Sequence, residues 1–171
     1  PDTLFNLGRI TGGLGLEDVL FMFFTGGISA FLYEFLFRQR IQLPLIPQHH
    51  FRALLTGLFG SMLFAFVFRL NMIYSLLAFF VFGSFSLWLE RKDLVKQSFL
   101  GGTLFGGLYA GAFLLFNLLF PSFVSTVYNL GEISGVLLSG IPLEELAYAF
   151  TFGMFWAPLY EYAHGARNIP T

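Results

Sequence analysis

The sequence predicts an all-α membrane protein, a polytopic bundle of about five transmembrane helices. Of the 171 residues, 56% are hydrophobic and 11% are charged, and the mean hydropathy is +0.74. Soluble domains are markedly less apolar. Apolar runs of about 18 to 23 residues, enough to span a bilayer as helices, recur along the chain. These runs are continuous rather than alternating, which favours helices over a membrane β-barrel.

Five runs are predicted to be membrane spans, and the connections between them set their orientation. With the amino terminus of this fragment outside and the carboxyl terminus cytoplasmic in the cell membrane, the positive-inside rule is satisfied by seven basic residues against two. The predicted spans are residues 17–37, 51–70, 72–89, 98–120 and 143–163. The inner basic residues are Arg38, Arg40, Arg52, Arg91, Lys92, Lys96 and Arg167, and the outer ones are Arg9 and Arg69.

Several kinds of site are not expected. A net charge of −1 without a basic stripe gives no reason to expect nucleic acid. No cysteine is present, and the adjacent His49 and His50 lack the spacing of helical metal ligands, so no metal site is predicted. The glycines at 12–15 and 101–107 lack the spacing of a dinucleotide fold, so no cofactor is predicted. The second group is better explained by close helix contacts.

An internal repeat links the first and last spans. Residues 16–35 match residues 143–162 at eight of twenty positions with an offset of 127. Both segments begin with an acid pair, Glu17 with Asp18 and Glu144 with Glu145. Residues 1–37 are therefore expected to be the last helix of a first repeat unit, and residues 38–171 a second, complete unit of four spans. Since both repeated helices run in one direction, a pseudo-two-fold axis along the membrane normal is expected, with the missing helices preceding residue 1.

The acids have two possible explanations. Carboxylates in a first helical turn suit the helix dipole, and Pro142 suits a first helical position. A carboxyl group within a membrane segment is costly, however, and by default suggests function. Paired acids at both helix starts favour function for Glu144 and Glu145. Glu34 and Glu161, near the other ends, are better explained by interfacial pairing with Arg38 and His164.

Two acid pairs that meet in a hydrophobic cavity could act as proton donor and acceptor. Burial and mutual repulsion keep one carboxyl group of a close pair protonated. Such an acid could protonate an alkene, and a nearby carboxylate could later remove a proton from the carbocation. Aromatic rings on the same helices could face the cation. The candidate substrate-binding residues are Phe21, Phe24, Tyr148 and Trp156.

The segment GIPLEE at 140–145, followed by an apolar helix ending in WAPLYEY, resembles the flavin-independent, membrane-embedded lycopene cyclase domain family. The family pattern is a P-x-E-[ED] acid pair in each of two related halves. Pro142, Glu144 and Glu145 match it, whereas the first copy has Leu14 at the proline position, before Glu17 and Asp18. The resemblance implies proton-initiated cyclisation of a linear carotenoid or other isoprenoid, with membrane lipid around the protein and the missing helices or a partner subunit beside it.

The sequence thus predicts a cofactor-independent carotenoid cyclase of the lyase or isomerase class. Two alternatives stay open: a small proton-coupled transporter, or a non-catalytic membrane protein that binds lipid or isoprenoid. A transporter should have discontinuous helices and a hydrated path between the two tiers of acids. A cyclase should have a closed, aromatic-lined cavity that opens to lipid.

Overall fold

The computed structural model describes residues 16–37, 39–42 and 51–170, and of residues 16–18, 22, 39–42 and 167–170 it describes the backbone alone. Within these ranges the chain is mostly helical, as predicted. The helices are α1 Leu16–Phe37, α2 Arg52–Met62, α3 Met72–Glu90, α4 Val95–Leu119, α5 Phe123–Val127, α6 Leu143–Trp156 and α7 Leu159–His164. Two short antiparallel pairs, which were not predicted, join β1 Gln39–Gln42 to β4 Arg167–Pro170 and β2 Leu137–Leu138 to β3 Ile141–Pro142.

The five predicted spans are all helical, but two are not single α-helices. The second run is α2 followed by a π-helical turn, Leu63–Val67. The fifth run is divided between α6 and α7 at Ala157 and Pro158, where proline has no N–H to continue the ladder. Three apolar helical segments are long enough to cross a membrane, namely Val19–Phe37, Met72–Glu90 and Lys92–Leu119.

The helices alternate in direction around a common core. Near the start of α3, Tyr74 contacts Glu144 at the start of α6, whereas Gln97 near the start of α4 contacts Glu161 in α7. Helices α3 and α6 are therefore parallel, and α4 runs opposite to both. α1 runs in the direction of α6, since Gly26 lies against the Trp156 indole and Glu34 lies near Glu161.

Glycines allow α4 and α6 to approach closely. A Cβ added at Gly153 would lie 2.7 Å from the Gly101 carbonyl oxygen, and one added at Gly101 would overlap the Cβ of Ala157. Small residues of this kind let helix backbones meet in membranes. The predicted close helix contacts are confirmed for Gly101 and Gly102, but a Cβ added at Gly107 would meet nothing within 4 Å among the described residues.

Aromatic rings fill the centre of the bundle. Phe80, Phe105, Phe152 and Phe155 are all at most 5% exposed, and Phe152 packs against Phe80 and Phe105 with ring centroids 5.3 and 5.1 Å apart. A smaller cluster of Phe113, Val124 and Ile141 lies under the loop that leads to α6. These two clusters fix the helices that carry the acids.

Candidate active site

A short hairpin determines where α6 begins. Ser139 and Gly140, between β2 and β3, have φ angles of 53° and 79°, as two-residue hairpin turns require. The Asn117 side chain in α4 donates to the Gly140 carbonyl at 3.1 Å, which ties the turn to the bundle. Pro142 has an extended conformation and precedes the helix, so the expectation that it is the first helical residue is wrong by one position.

Glu144 is nearly inaccessible to solvent. Its residue is 4% exposed, and its Oε1 accepts hydrogen bonds from the Tyr74 hydroxyl at 2.9 Å and from the Ser134 backbone N–H at 2.7 Å. Its Oε2 is buried and has no hydrogen-bond partner. Oε1 therefore accepts two hydrogen bonds, while Oε2 is buried and accepts none from the described residues.

Glu145 faces a different helix. Adjacent helical residues lie 100° apart around the axis, so Glu144 faces α3 and Glu145 faces α4. The Oε2 atom of Glu145 accepts a hydrogen bond from the Tyr109 hydroxyl at 2.6 Å, a length typical of a charge-assisted bond. The Tyr128 hydroxyl also interacts with this carboxylate, and burial together with the Glu145 charge raises the pKa of Tyr128. Tyr128 therefore keeps its proton at neutral pH.

The tyrosine rings beside Glu145 are held by neighbouring rings. Tyr109 lies 6.4 Å from Phe105 and 6.0 Å from Phe113 between ring centroids. Tyr128 lies 6.3 Å from Phe113 and 5.9 Å from Phe123. Because these rings cannot swing away without displacing the cluster under the loop, their hydroxyls have fixed positions.

A pocket of about 290 Å³ opens beside the two acids. One side comes from the start of α3, including Asn71 and Ile73, and another from the loop residues 127–133. Asn71 also caps α3, because its Oδ1 accepts a hydrogen bond from the Ile73 N–H at 3.2 Å. Among the described side chains, no Lys or Arg lies within 4.0 Å of Glu144 or Glu145. Arg69, one of the two predicted outer basic residues, makes no such ion pair.

Glu17 and Asp18, the predicted counterparts of this pair, lie in the first turn of α1. Their side chains lie outside the described residues, so their role remains a prediction. His49 and His50 also lie outside the described residues.

The four predicted substrate-binding aromatics occupy different places. Tyr148, one turn after Glu145, is partly buried and packs against Phe80 and Phe152. Phe21 is 49% exposed. Phe24 and Trp156 line a separate apolar groove of about 720 Å³ between α1 and the α6–α7 segment. Trp156 is twelve residues beyond Glu144, about 18 Å along a helix at 1.5 Å per residue.

The acid partners Tyr74, Tyr109 and Tyr128 were not predicted. A partial signal exists, since Tyr109 lies in the middle of an apolar run and a buried tyrosine hydroxyl usually has a hydrogen-bond partner. This signal predicts that the Tyr109 hydroxyl makes a hydrogen bond, but it does not predict that Glu145 is the acceptor.

A second tier of polar residues lies at the opposite end of the bundle. Glu161 is fully buried, and its Oε1 accepts a hydrogen bond from Gln97 Nε2 at 2.6 Å. The same nitrogen donates to the Ala157 carbonyl at 3.0 Å, across the break between α6 and α7. Arg91 donates to the carbonyls of Glu161 and Ala166. The interfacial pairing of Glu161 with His164 stays a prediction, whereas the enclosure of the Glu161 side chain by the helices was not predicted.

Tyr162 extends this second tier toward α2 and α3. Its hydroxyl donates to Glu90 Oε2 at 3.0 Å and accepts from the Ala53 N–H at 3.2 Å. Glu90 also forms an ion pair with Arg52, whose Nη1 lies 3.5 Å from Glu90 Oε1. Three helix ends are thereby joined at one hydroxyl group.

Membrane-length helices, an aromatic core and a hydrogen-bonded carboxyl pair at a helix start define a class of helical membrane proteins that hold acids inside an apolar bundle. The family model for lycopene cyclase matches residues 71–163, which include α3, α4, α6 and both acids. The chain belongs to the lycopene cyclase family, and the predicted resemblance is confirmed. No curated protein and no solved structure matches it.

Proposed function

We propose that this protein is a carotenoid cyclase that begins ring formation by protonating the end of a linear, lycopene-type polyene. Membership of the family supports carotenoid cyclisation as the general function. The observation that carries the mechanism is the juxtaposition of Glu144 and Glu145 at one pocket, with tyrosine hydroxyls as partners and no neighbouring cation among the described side chains.

The chemistry requires one acid and one base. A neutral carboxyl group adds its proton to the terminal double bond, which forms a C–H bond and leaves a tertiary carbocation. The electron pair of a second double bond attacks this cation and closes the ring. A carboxylate then removes a proton from a carbon next to the new cation, and a double bond returns. Since nothing is oxidised or reduced overall, we propose a cofactor-independent reaction of the lyase or isomerase class.

Substrate from the bilayer can use the exposed groove. The groove that Phe24 and Trp156 line is open and almost wholly apolar, as a site for an isoprenoid chain should be. It is distinct from the acid pocket, so we propose that it guides the chain while the chain end reaches Glu144 and Glu145. Tyr148 lies on α6 between Glu145 and Trp156, and we propose that its ring faces the developing cation.

The transporter alternative is less well supported. The break between α6 and α7 is a feature that transporters share. Between the two tiers, however, lie the buried rings of Phe80, Phe105, Phe152 and Phe155, where a transporter needs a hydrated path. A lipid-binding protein without catalysis would not need a buried carboxyl group with an unpartnered oxygen, which is costly to maintain.

In the membrane, we propose five spans with the Glu161 tier on the cytoplasmic side. Arg52, Arg91, Lys92 and Lys96 flank that tier, and the acid pocket would then face outward. Since the chain has no cysteine, Ser125→Cys in the outer loop and Lys92→Cys at the opposite end can be labelled in intact cells. An impermeant maleimide should label the first and spare the second, and the reverse result would invert the orientation.

The first helix belongs to the same proposal. We propose that α1 repeats α6, that Glu17 and Asp18 supply the second acid pair, and that preceding helices or a partner subunit complete the other half. In α1 the buried face includes Gly26, Ser29 and Tyr33, positions that correspond to Gly153, Trp156 and Tyr160 in the repeat.

Pigment analysis in a lycopene-accumulating host tests the function. Expression of the full-length chain should give cyclised carotenoids, and Glu144→Gln or Glu145→Gln should abolish them while the protein still inserts. Glu90→Gln, a change at the opposite tier, is the matched control and should retain product. Normal ring formation by both acid variants would remove the acid–base assignment.

A further inference from the structure

Two tyrosine hydroxyls hold Glu145 from separate parts of the chain. We propose that Tyr109 and Tyr128 are positioning residues that fix Glu145 as the proton acceptor of the cyclisation and thereby select the ring type formed. This role rests on the proposed function, since it concerns the last step of that reaction.

The geometry restrains Glu145 at more than one point. Tyr109 belongs to α4 and donates to Oε2 at 2.6 Å, while Tyr128 approaches the same carboxylate from the loop after α5. Both rings pack against Phe113, so the two hydroxyls move together with one cluster. The hydrogen bond from Tyr109 restrains the carboxylate, and Tyr128 lines the same pocket beside it.

Glu144 differs in a way that suits proton donation. Its Oε1 is occupied by Tyr74 and Ser134, and its Oε2 is buried without a partner. Among the described side chains Oε2 has no hydrogen-bond partner, so a proton on it can pass to the π electrons of a bound alkene. Burial of Oε2 disfavours the ionised carboxylate, while the two donors on Oε1 favour it, so the donor role of Glu144 is part of the proposal.

The position of the base decides the product. After ring closure, the cation has hydrogen atoms on more than one neighbouring carbon, and loss of different ones gives a β- or a γ-ring. A fixed carboxylate reaches one of these hydrogens in preference to the others, because proton transfer requires hydrogen-bonding distance. A carboxylate that has lost a donor can reach more than one.

The test compares ring types made by three tyrosine variants of the full-length chain in a lycopene-accumulating host. Tyr109→Phe and Tyr128→Phe each remove one hydroxyl near Glu145. Tyr162→Phe is the matched control, because it removes a hydroxyl that donates to another glutamate at the far tier. Membrane-inserted protein is quantified for each variant, and the carotenoids are separated by chromatography.

We expect Tyr109→Phe to lower total cyclised product by on the order of tenfold, as the loss of a hydrogen bond to a charged group implies, and to raise the share of the minor ring type several-fold. Tyr128→Phe should change the ratio in the same direction, and Tyr162→Phe should leave it unchanged. An unchanged ratio in Tyr109→Phe, or in Tyr128→Phe if the first variant forms no rings, overturns the inference.

Loss of all product in both variants, with normal insertion, also overturns it, because a carboxylate that is displaced but still present should change which proton is lost rather than abolish ring formation. A wild-type chain that forms no rings would instead overturn the proposed function. The two failures are therefore distinguishable.

Discussion

The α6–α7 segment has a glutamate at each end, and the surroundings of the two ends differ. Glu144 opens onto a pocket, and its partners are a hydroxyl and a backbone N–H. Glu161 is enclosed, receives an amide hydrogen bond from Gln97, and has its own carbonyl bound by Arg91. A carboxyl group in an apolar helix therefore does not indicate chemistry by itself. Under the proposed function, the pocket beside Glu144 and the enclosure of Glu161 distinguish the reacting acid from the structural one.

The strongest test of this comparison replaces the glutamate at each end of the α6–α7 segment by glutamine. Glu144→Gln should lower cyclisation by ~100-fold or more, the usual contribution of a positioned acid or base. Glu161→Gln should retain the rate per folded molecule and lower the amount of folded protein. Product is measured by chromatography and normalised to inserted protein. A folded but inactive Glu161→Gln variant would contradict the division between the two ends.

A second test removes the amide donor at the structural end. Gln97→Leu leaves the Glu161 carboxyl and the Ala157 carbonyl without this donor, and an unsatisfied buried group costs about 1–3 kcal/mol. The melting temperature of the purified protein in detergent should fall, while the ring products of the remaining folded protein stay the same. A changed ring ratio would mean that the two ends are coupled.

The two ends also differ in how well the sequence predicted them. The apolar runs and the acid pair follow from local patterns, since hydropathy and the first-turn position need no knowledge of distant residues. Tyr74 precedes Glu144 by 70 residues and Tyr109 precedes Glu145 by 36, so only the packing of α3 and α4 on α6 brings them together. The partner of Glu161 that the structure shows was missed for the same reason, because Gln97 is 64 residues away.

The breaks in the helices were only partly predictable. Pro158 inside an apolar run is a recognisable helix-breaking signal, whereas the π-helical turn after α2 has no comparable signal in its sequence, LFAFV. The hairpin before α6 depends on Ser139 at positive φ, which is uncommon for a residue other than glycine. Its stabilisation by Asn117 is again a long-range contact.

A third test removes a hydrogen-bond donor from Glu144 and leaves both acids in place. Tyr74→Phe takes one of two donors from Glu144 Oε1, so cyclisation should fall roughly several-fold, as expected for the net value of one typical hydrogen bond. The initial rate is measured in membranes with lycopene supplied from vesicles. A rate equal to that of the wild type would show that the Ser134 N–H alone suffices to hold the carboxyl group.

The smallest expected effect is at the structural end. Tyr162→Phe removes a hydroxyl that joins Glu90 to the Ala53 N–H, and its loss should cost about 1 kcal/mol of stability, the net value of a typical hydrogen bond. Thermal unfolding in detergent provides the measurement. A drop much larger than this would indicate that the second tier organises α2 as well as α7.

The packed rings of Phe80, Phe105, Phe152 and Phe155 have a consequence for the cell as a whole. In the proposed membrane arrangement, these rings lie between the acid pocket and the opposite face of the bilayer. An enzyme of the proposed kind would therefore take up and return protons at one end of the bundle without opening a path that dissipates the electrochemical gradient.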